Sequence, residues 1–359
     1  MKKMFEKPML MVLTGGTICS VLNEREETES NADQTVTRLE KMLEDSAGSY
    51  RELVFVREKP MDILSENMTV AGWNRLTGYL KTVNWPEYSG VIVLHGTDTL
   101  AYGAALLAVL LAGAPVPVCL VSSNYRLDDN RSNGFANFRS AVDLIVGGIR
   151  PGVYVPYRND DGNMWIHRGA HLEQCKAHSV NFHSDTKMSV CQALGQPGVI
   201  PGKRMLLDNL AQLDDCVLQL HPYVGINYSR FRLEGVRAVV HGVYHSSTAC
   251  VGEPTGNRPD ERPHSILHLL RTCRSRGIDV FLAPVPEDFD NREEYNLYSS
   301  TGTILREGGI LLRGMTPEMS YVKTLIACSM FTQRAQRLDF LEADVCGERL
   351  TGKDGAERN

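Results

Sequence analysis

The sequence has nine cysteines but no CxxC pair. Zinc knuckles and disulfide frameworks need paired spacing, so neither is expected, and the cysteines read as separate thiols in a reducing compartment. Nor is there an excess of one charge: 38 Lys and Arg stand against 43 Asp and Glu, a formal net charge of −5. Such a mixed surface gives nucleic acid no broad basic face, which leaves small molecules as the expected partners. An unbroken bilayer-spanning run is missing too. The nearest approach, residues 104–121, contains Gly113, Pro115 and Pro117, which break a single helix. It reads instead as a buried helix to about Leu111, a turn over Ala112, Gly113, Ala114 and Pro115, and a buried strand from Val116 to Val121. A secretion signal is also absent, because Glu6 and Lys7 interrupt the first apolar residues and the run feeds a glycine turn. A soluble, cytoplasmic protein without membrane partners is expected. The sequons at Asn67 and Asn227 then carry no meaning.

What the chain does contain is a series of short apolar runs without polar alternation. Met9 to Leu13, Leu53 to Val56 and Val91 to Leu94 are separated by helical patterns, one of them carrying Trp73, Leu76 and Leu80 behind a cap at Asn67 or Thr69. Runs of this kind predict an α/β fold with a mainly parallel sheet covered by helices. Its length favours two domains. Residues 1–210 are expected to form a large N-terminal domain, 211–232 a linker, 233–347 a smaller C-terminal α/β domain, and 348–359 a flexible tail. The stretch from Pro151 to Met205, rich in Gly, Asn, Asp and His, reads as a flap or hairpin over the large domain.

Two apolar runs end in threonine-rich turns, Thr14-Gly15-Gly16-Thr17 and His95-Gly96-Thr97-Asp98-Thr99. In a parallel sheet ligands bind beyond the carboxyl ends of strands, so both turns can face one cleft. Glycines permit close backbone approach to a ligand, and amides there can hold a carboxylate or a developing oxyanion. Neither a phosphate loop nor a dinucleotide fingerprint fits, since the Lys-Ser/Thr pair and the GxGxxG spacing are both missing. A hydroxyl becomes a nucleophile when a base takes its proton, and a Thr-Lys-Asp relay supplies one. Asp98 can hold the relay's lysine or grip the ammonium of an amino-acid substrate. A strand-ending turn and a helix cap at Asp98 or Thr99 are the plain alternatives. His167, His171, His178 and His183 match no zinc spacing, so no metal is expected.

The paired turns, with Ile18 following the first, resemble those of the bacterial-type L-asparaginase and glutaminase family. The likeness continues through Ser65-Glu66-Asn67-Met68-Thr69 and Trp73, through Asn137-Phe138 to Val142, and through Gly308-Gly309-Ile310 to Met315-Thr316-Pro317-Glu318 with Tyr321-Val322-Lys323. That resemblance implies a large N-terminal and a small C-terminal domain, a homodimer or homotetramer, and an L-asparagine amidohydrolase of cytoplasmic type without cofactor. Thr17 would be the nucleophile, Thr97 the second catalytic threonine, and Asp98 the partner of a catalytic lysine and of the substrate amine. Ser65 and Glu66 would sit beside the substrate α-carboxylate, with amides near Gly16 or Gly96 holding the amide carbonyl. The same domain occurs in a tRNA-dependent amidotransferase branch, which is disfavoured here because the chain starts almost at its first catalytic strand.

Three features depart from that pattern. The loop from Cys19 to about Val36 lacks the family's tyrosine, and its Glu24-Arg25-Glu26-Glu27 stretch reads as a solvent-facing lid. After Arg168-Gly169 the ungapped register puts Gln174 where the family has its lysine, with Lys176 two residues on. With a local insertion Lys176 would be the candidate base partner, and a surface lysine is the plain alternative. Glu66 would repel a substrate carboxylate unless a positive group intervenes, or it clasps the ammonium instead. Farther on, the resemblance implies that the polar turn of His241 and Tyr244 to Thr248 would offer Ser247 or Thr248 to a site across a dimer interface, with simple strand-end capping the plain alternative.

Overall fold

Met9–Leu13 forms β1, five apolar residues that are all buried, as a strand covered on both faces requires. The computed structural model describes residues 7–22, 25, 28–46, 50–195, 205–252, 259–289 and 298–350. After β1 come a small antiparallel hairpin, β2 (Ser20–Leu22) and β3 (Thr28–Ser30), then α1 (Ala32–Asp45) and β4 (Phe55–Glu58). Next are α2 (Val70–Leu80), β5 (Gly90–Leu94), α3 (Leu100–Leu110), β6 (Val118–Val121) and α4 (Gly134–Val146). The hairpin β7 (Val153–Arg158) and β8 (Met164–Arg168) and the short α5 (Val190–Gly195) follow.

The main sheet has the order β4-β1-β5-β6-β7-β8, parallel throughout except for the last pair. The expected flap is thus the sheet's own edge, because Tyr154 to Arg158 pairs with Arg168 to Met164. Strand order reverses around β1: β4 lies on one side and β5 on the other. Chain crossovers leave in opposite directions at such a place, opening a crevice at the carboxyl ends. Both threonine turns stand there, since Leu13 is in register with Leu94.

Helix identity follows from the side chains. Thr69 caps α2 by accepting from the Gly72 amide at 3.2 Å, a contact worth about 1 kcal/mol, and Trp73, Leu76 and Leu80 turn inward. The helix α3 has no polar face, and nearly every one of its residues is buried, so it lies within the core instead of along the surface.

Contacts divide the chain into two units: residues to Gln212 together with Val345–Gly347, and Leu213–Asp344 together with the residues from Glu348 on. The second unit holds β9 (Val217–Leu220), β10 (Ala238–His241), α6 (Ile266–Ser275), β11 (Asp279–Val285), α7 (Ser299–Arg306), β12 (Ile310–Arg313), α8 (Pro317–Met330) and α9 (Arg334–Glu342). Its sheet, β12-β11-β10-β9, is parallel throughout.

Here the sequence expectation needs changing. The range 211–232 is not a bare linker, because β9 lies inside it and pairs with β10 from Val217–Ala238 to Leu220–His241. The expected tail is likewise anchored at its start. Glu348 is fully buried and meets the equally buried Lys323 ammonium at 2.5 Å. Arg349 pairs with Glu287 at 2.9 Å, and the Leu350 amide donates to Gly314 O at 2.7 Å. Residues 351–359 lie outside the described residues. No helix among the described residues is long and apolar enough to cross a membrane.

Candidate active site

The first turn is tied to its surroundings on both sides. Thr14 donates to Leu94 O through its hydroxyl at 2.8 Å and its amide at 3.1 Å. Its carbonyl accepts from Ile63 N at 3.1 Å, and Gly16 N donates to Ile63 O at 2.8 Å. Gly15 and Gly16 have φ of 101° and 86°, conformations that a side chain makes costly. A Cβ added to Gly16 would overlap the Gly96 backbone, and one added to Gly96 would overlap Ser65. The two turns therefore touch main chain to main chain. Thr17, half-buried, opens a single 3-10 turn over Thr17–Cys19, closed by Cys19 N donating to Gly16 O at 2.8 Å. Burial, with the Asp62 charge adding to it, pushes the Cys19 thiol far up. Cys19 stays a protonated packing group beside the threonine.

The second turn leaves β5 at His95. This imidazole is fully buried and its pKa is lowered by that burial, so the ring is neutral. Its Nδ1–H donates to Gly96 O at 2.8 Å, which fixes the tautomer because a carbonyl can only accept. Ser65 then joins the turns: its hydroxyl donates to the Asp98 carboxylate at 3.0 Å and accepts from the Asp98 amide at 3.2 Å. Thr99 Oγ1 donates to Ser65 O at 3.2 Å. Thr97 is half-buried, whereas Asp98 and Glu66 are exposed. Among the described residues Asp98 forms no ion pair.

Gln174 has a role that the sequence did not reveal. Its Nε2 donates to Thr97 O at 2.8 Å and its Oε1 accepts from Ala101 N at 3.2 Å. One amide thus holds the threonine turn and satisfies a first-turn N–H of α3 that has no partner within the helix. A lysine could not do both, having no acceptor. Lys176 is exposed, and its carbonyl accepts from Ser179 N at 3.0 Å. The structure brings Thr17, Thr97, Asp98, Ser65, Gly16 and Gly96 together but does not pair Lys176 with Asp98. Cys175, next to Lys176 in sequence, is pushed up to about 12 by burial, with the Asp98 charge contributing.

Amide donors can be assigned as well. Gly16 N–H is engaged by Ile63, so it is no free oxyanion donor. The N–H groups of Thr17, Gly96 and Thr97 donate to no described residue. Unpaired amides at a site of this kind are suited to a carboxylate or an oxyanion.

The loop expected to be a lid begins as the β2–β3 hairpin, with Asn31 N donating to Cys19 O at 2.6 Å and Ser30 bonded to Asp62. Arg25 is described, whereas Glu24, Glu26 and Glu27 lie outside the described residues. In the second unit Ser247 has φ of 56° and its carbonyl accepts from Thr301 Oγ1 at 3.0 Å. Ser246 and Thr248 share a hydroxyl hydrogen bond of 3.0 Å. No group of three or more His, Cys, Asp or Glu that could hold a metal occurs among the described residues.

The family model described as Asparaginase, N-terminal, matches residues 9–196. A glutamyl-tRNA(Gln) amidotransferase chain of Methanosphaera stadtmanae is 23% identical over 371 residues, 96% of this chain and 77% of its own length. The solved thermostable L-asparaginase of Thermococcus kodakarensis superposes with a TM-score of 0.72 at 20% identity, over 96% of this chain and 99% of its own. L-asparaginase I of Vibrio cholerae gives a TM-score of 0.70 at 20% identity, over the same 96% and 99%.

Proposed function

Since the chain belongs to the asparaginase family, whose amidohydrolase fold it has, we propose that it hydrolyses L-asparagine to L-aspartate and ammonia. The observation that supports this reading is the contact of the two glycine turns, Gly16 against Gly96, each one residue before a threonine, Thr17 and Thr97. Thr17 Oγ attacks the side-chain amide carbon, a C–O bond forms, the C–N bond breaks, and ammonia leaves. Water then attacks the ester carbon, releasing aspartate and regenerating the hydroxyl. The unpaired Thr17, Gly96 and Thr97 amides would hold the oxygen that gains charge. Ser65 and Glu66 would face the amino-acid end of the substrate, and Asp98 its ammonium. Lys176 is the relay's candidate base, and Lys176→Met should then depress turnover. In keeping with family members, a homodimer or homotetramer is proposed, which light scattering tests.

Purified protein should release ammonia and aspartate in equal amounts, and Thr17→Ala or Thr97→Ala should remove nearly all of that release. Normal turnover by both variants would refute the mechanism. A different amide preference is the second reading. It is favoured by Glu66 beside Ser65 and by a curated relative named as part of an amidotransferase. Testing glutamine, D-amino-acid amides and asparagine analogues side by side separates the two, and exclusive asparagine turnover dismisses the second. Calorimetric binding of aspartate without ammonia release from any amide would make the chain a noncatalytic amino-acid binder.

A further inference from the structure

Away from the threonine turns, the second unit contains a pair of cysteines with no place in the amide chemistry. Cys216 precedes β9 and Cys328 lies in the last turns of α8, and both are free and buried. Their side chains are hydrogen-bonded to each other, and the Arg237 guanidinium hydrogen-bonds to Cys216 as well. The backbone fixes this meeting. Arg237 N donates to Cys216 O at 2.8 Å, and Asp214 N donates to Ser329 Oγ at 2.9 Å, fastening the approach to β9 onto the turn that carries Cys328.

Two arginines, each paired with an aspartate, lie around the pair. Arg237 is shared with Asp214 at 2.6 Å. Arg337 from α9 also acts on Cys328, although Asp279 at 3.5 Å takes part of its charge. The Cys328 thiol and then Arg237 hold the Cys216 sulfur toward its thiolate, while the bond to Cys216 and burial keep Cys328 protonated. Two thiols held in contact on one sheet–helix junction suit thiol–disulfide exchange, in which one sulfur attacks and the other resolves the mixed disulfide.

We propose that Cys216 and Cys328 form a redox modification site, a dithiol that small-molecule disulfides of the glutathione class convert into an internal disulfide. The Cys216 thiolate attacks one sulfur of oxidised glutathione, forming a mixed disulfide and releasing one glutathione thiolate. Cys328 gives its proton to a thiolate and its sulfur attacks the Cys216 sulfur, so the second glutathione leaves. Two protein thiols are oxidised to one disulfide while one glutathione disulfide is reduced to two thiols. The product ties the start of β9 to the end of α8.

The test uses the full chain in reduced and oxidised glutathione mixtures, with remaining thiols trapped by N-ethylmaleimide before peptide mass mapping. The exposed Cys191 and Cys250 report that the oxidant has acted. A peptide linking Cys216 to Cys328 is expected, and it should revert on adding reduced glutathione. Cys328→Ser should halt the sequence at a mixed disulfide on Cys216. Arg237→Gln should raise the pH of half-maximal alkylation at Cys216 by about one unit. Cys191 and Cys250 fully glutathionylated while Cys216 and Cys328 stay unmodified would overturn the proposal. So would an adduct on neither sulfur in Cys328→Ser, or a disulfide that joins other cysteines.

Discussion

Replacing Gly16 with alanine tests whether contact between the two turns builds the site. Gly16 has φ 86° and ψ −179°, a region reserved for glycine, so an alanine there costs roughly 1–3 kcal/mol in backbone strain alone. Its Cβ would also overlap Gly96 Cα and N. Those atoms are main chain held by β5 and cannot rotate away. Relief requires the turns to part by roughly 1 Å, straining the Thr14–Leu94 and Gly16–Ile63 hydrogen bonds, each worth about 1 kcal/mol net. The sum is roughly 3–5 kcal/mol. A displacement of about 1 Å between cooperating groups lowers turnover by about 100-fold. Gly162 provides the control: its φ is 82° and an added Cβ there meets nothing within 4 Å. Gly162→Ala should cost only about 1–2 kcal/mol and leave turnover intact. Urea unfolding and ammonia release on both variants make the comparison. If Gly16→Ala matches Gly162→Ala in stability and turns over normally, the contact does not position Thr17.

Three further outcomes are expected. Gln174→Met removes both bonds to Thr97 O and Ala101 N, so it should lower stability by about 2 kcal/mol and reduce turnover, while Gln174→Met with wild-type kcat would show that the turn holds itself. His167 is fully buried and burial pushes its pKa down to about 3, whereas the unfolded chain takes up that proton near 6.5. Its contribution is therefore complete above about pH 6.5 and is lost as pH falls toward 3. The stability gap between the chain and His167→Gln should narrow by about 2.5 kcal/mol from pH 7 to 4.5 in urea titrations, and a pH-independent gap would refute it. Glu348→Ala leaves the fully buried Lys323 ammonium, still donating to Leu341 O and Ala343 O, without its counter-charge and should cost about 3–5 kcal/mol. The double change Lys323→Met with Glu348→Leu should restore most of it, and equal losses in single and double variants would contradict the ion-pair account.

The parts of the fold legible in the sequence were those with a strong local signature. Apolar runs such as Met9–Leu13, the Thr69 cap and the Gly-Pro break after α3 each express one physical rule within a few residues. The main sheet and the position of both turns at strand ends followed from them. The rest depends on distant partners. Val217–Leu220 is too short to declare its sheet, and only its register with β10 assigns it to the second unit. A polar residue such as Glu348 reads as tail until Lys323, 25 residues earlier in the chain (348 − 323), is seen to need its charge. Gln174 was visible as the residue at the lysine register, yet its double hydrogen bond joins backbone groups more than 70 residues away. The Ile63 contacts with Thr14 and Gly16 are purely main-chain, and no side chain announces them.

The register of Leu13 with Leu94 has a consequence in time. Thr17 has no local counterpart to lean on: the turn that completes it is separated by about 80 residues, and closing a loop of that length costs roughly 4 kcal/mol in chain entropy. A nascent chain therefore carries no half-built site. The threonine pair comes into being only when β5 docks beside β1, a long-range parallel pairing of the slow kind. The reverse also holds, for slippage of one strand against the other would part the two threonine turns.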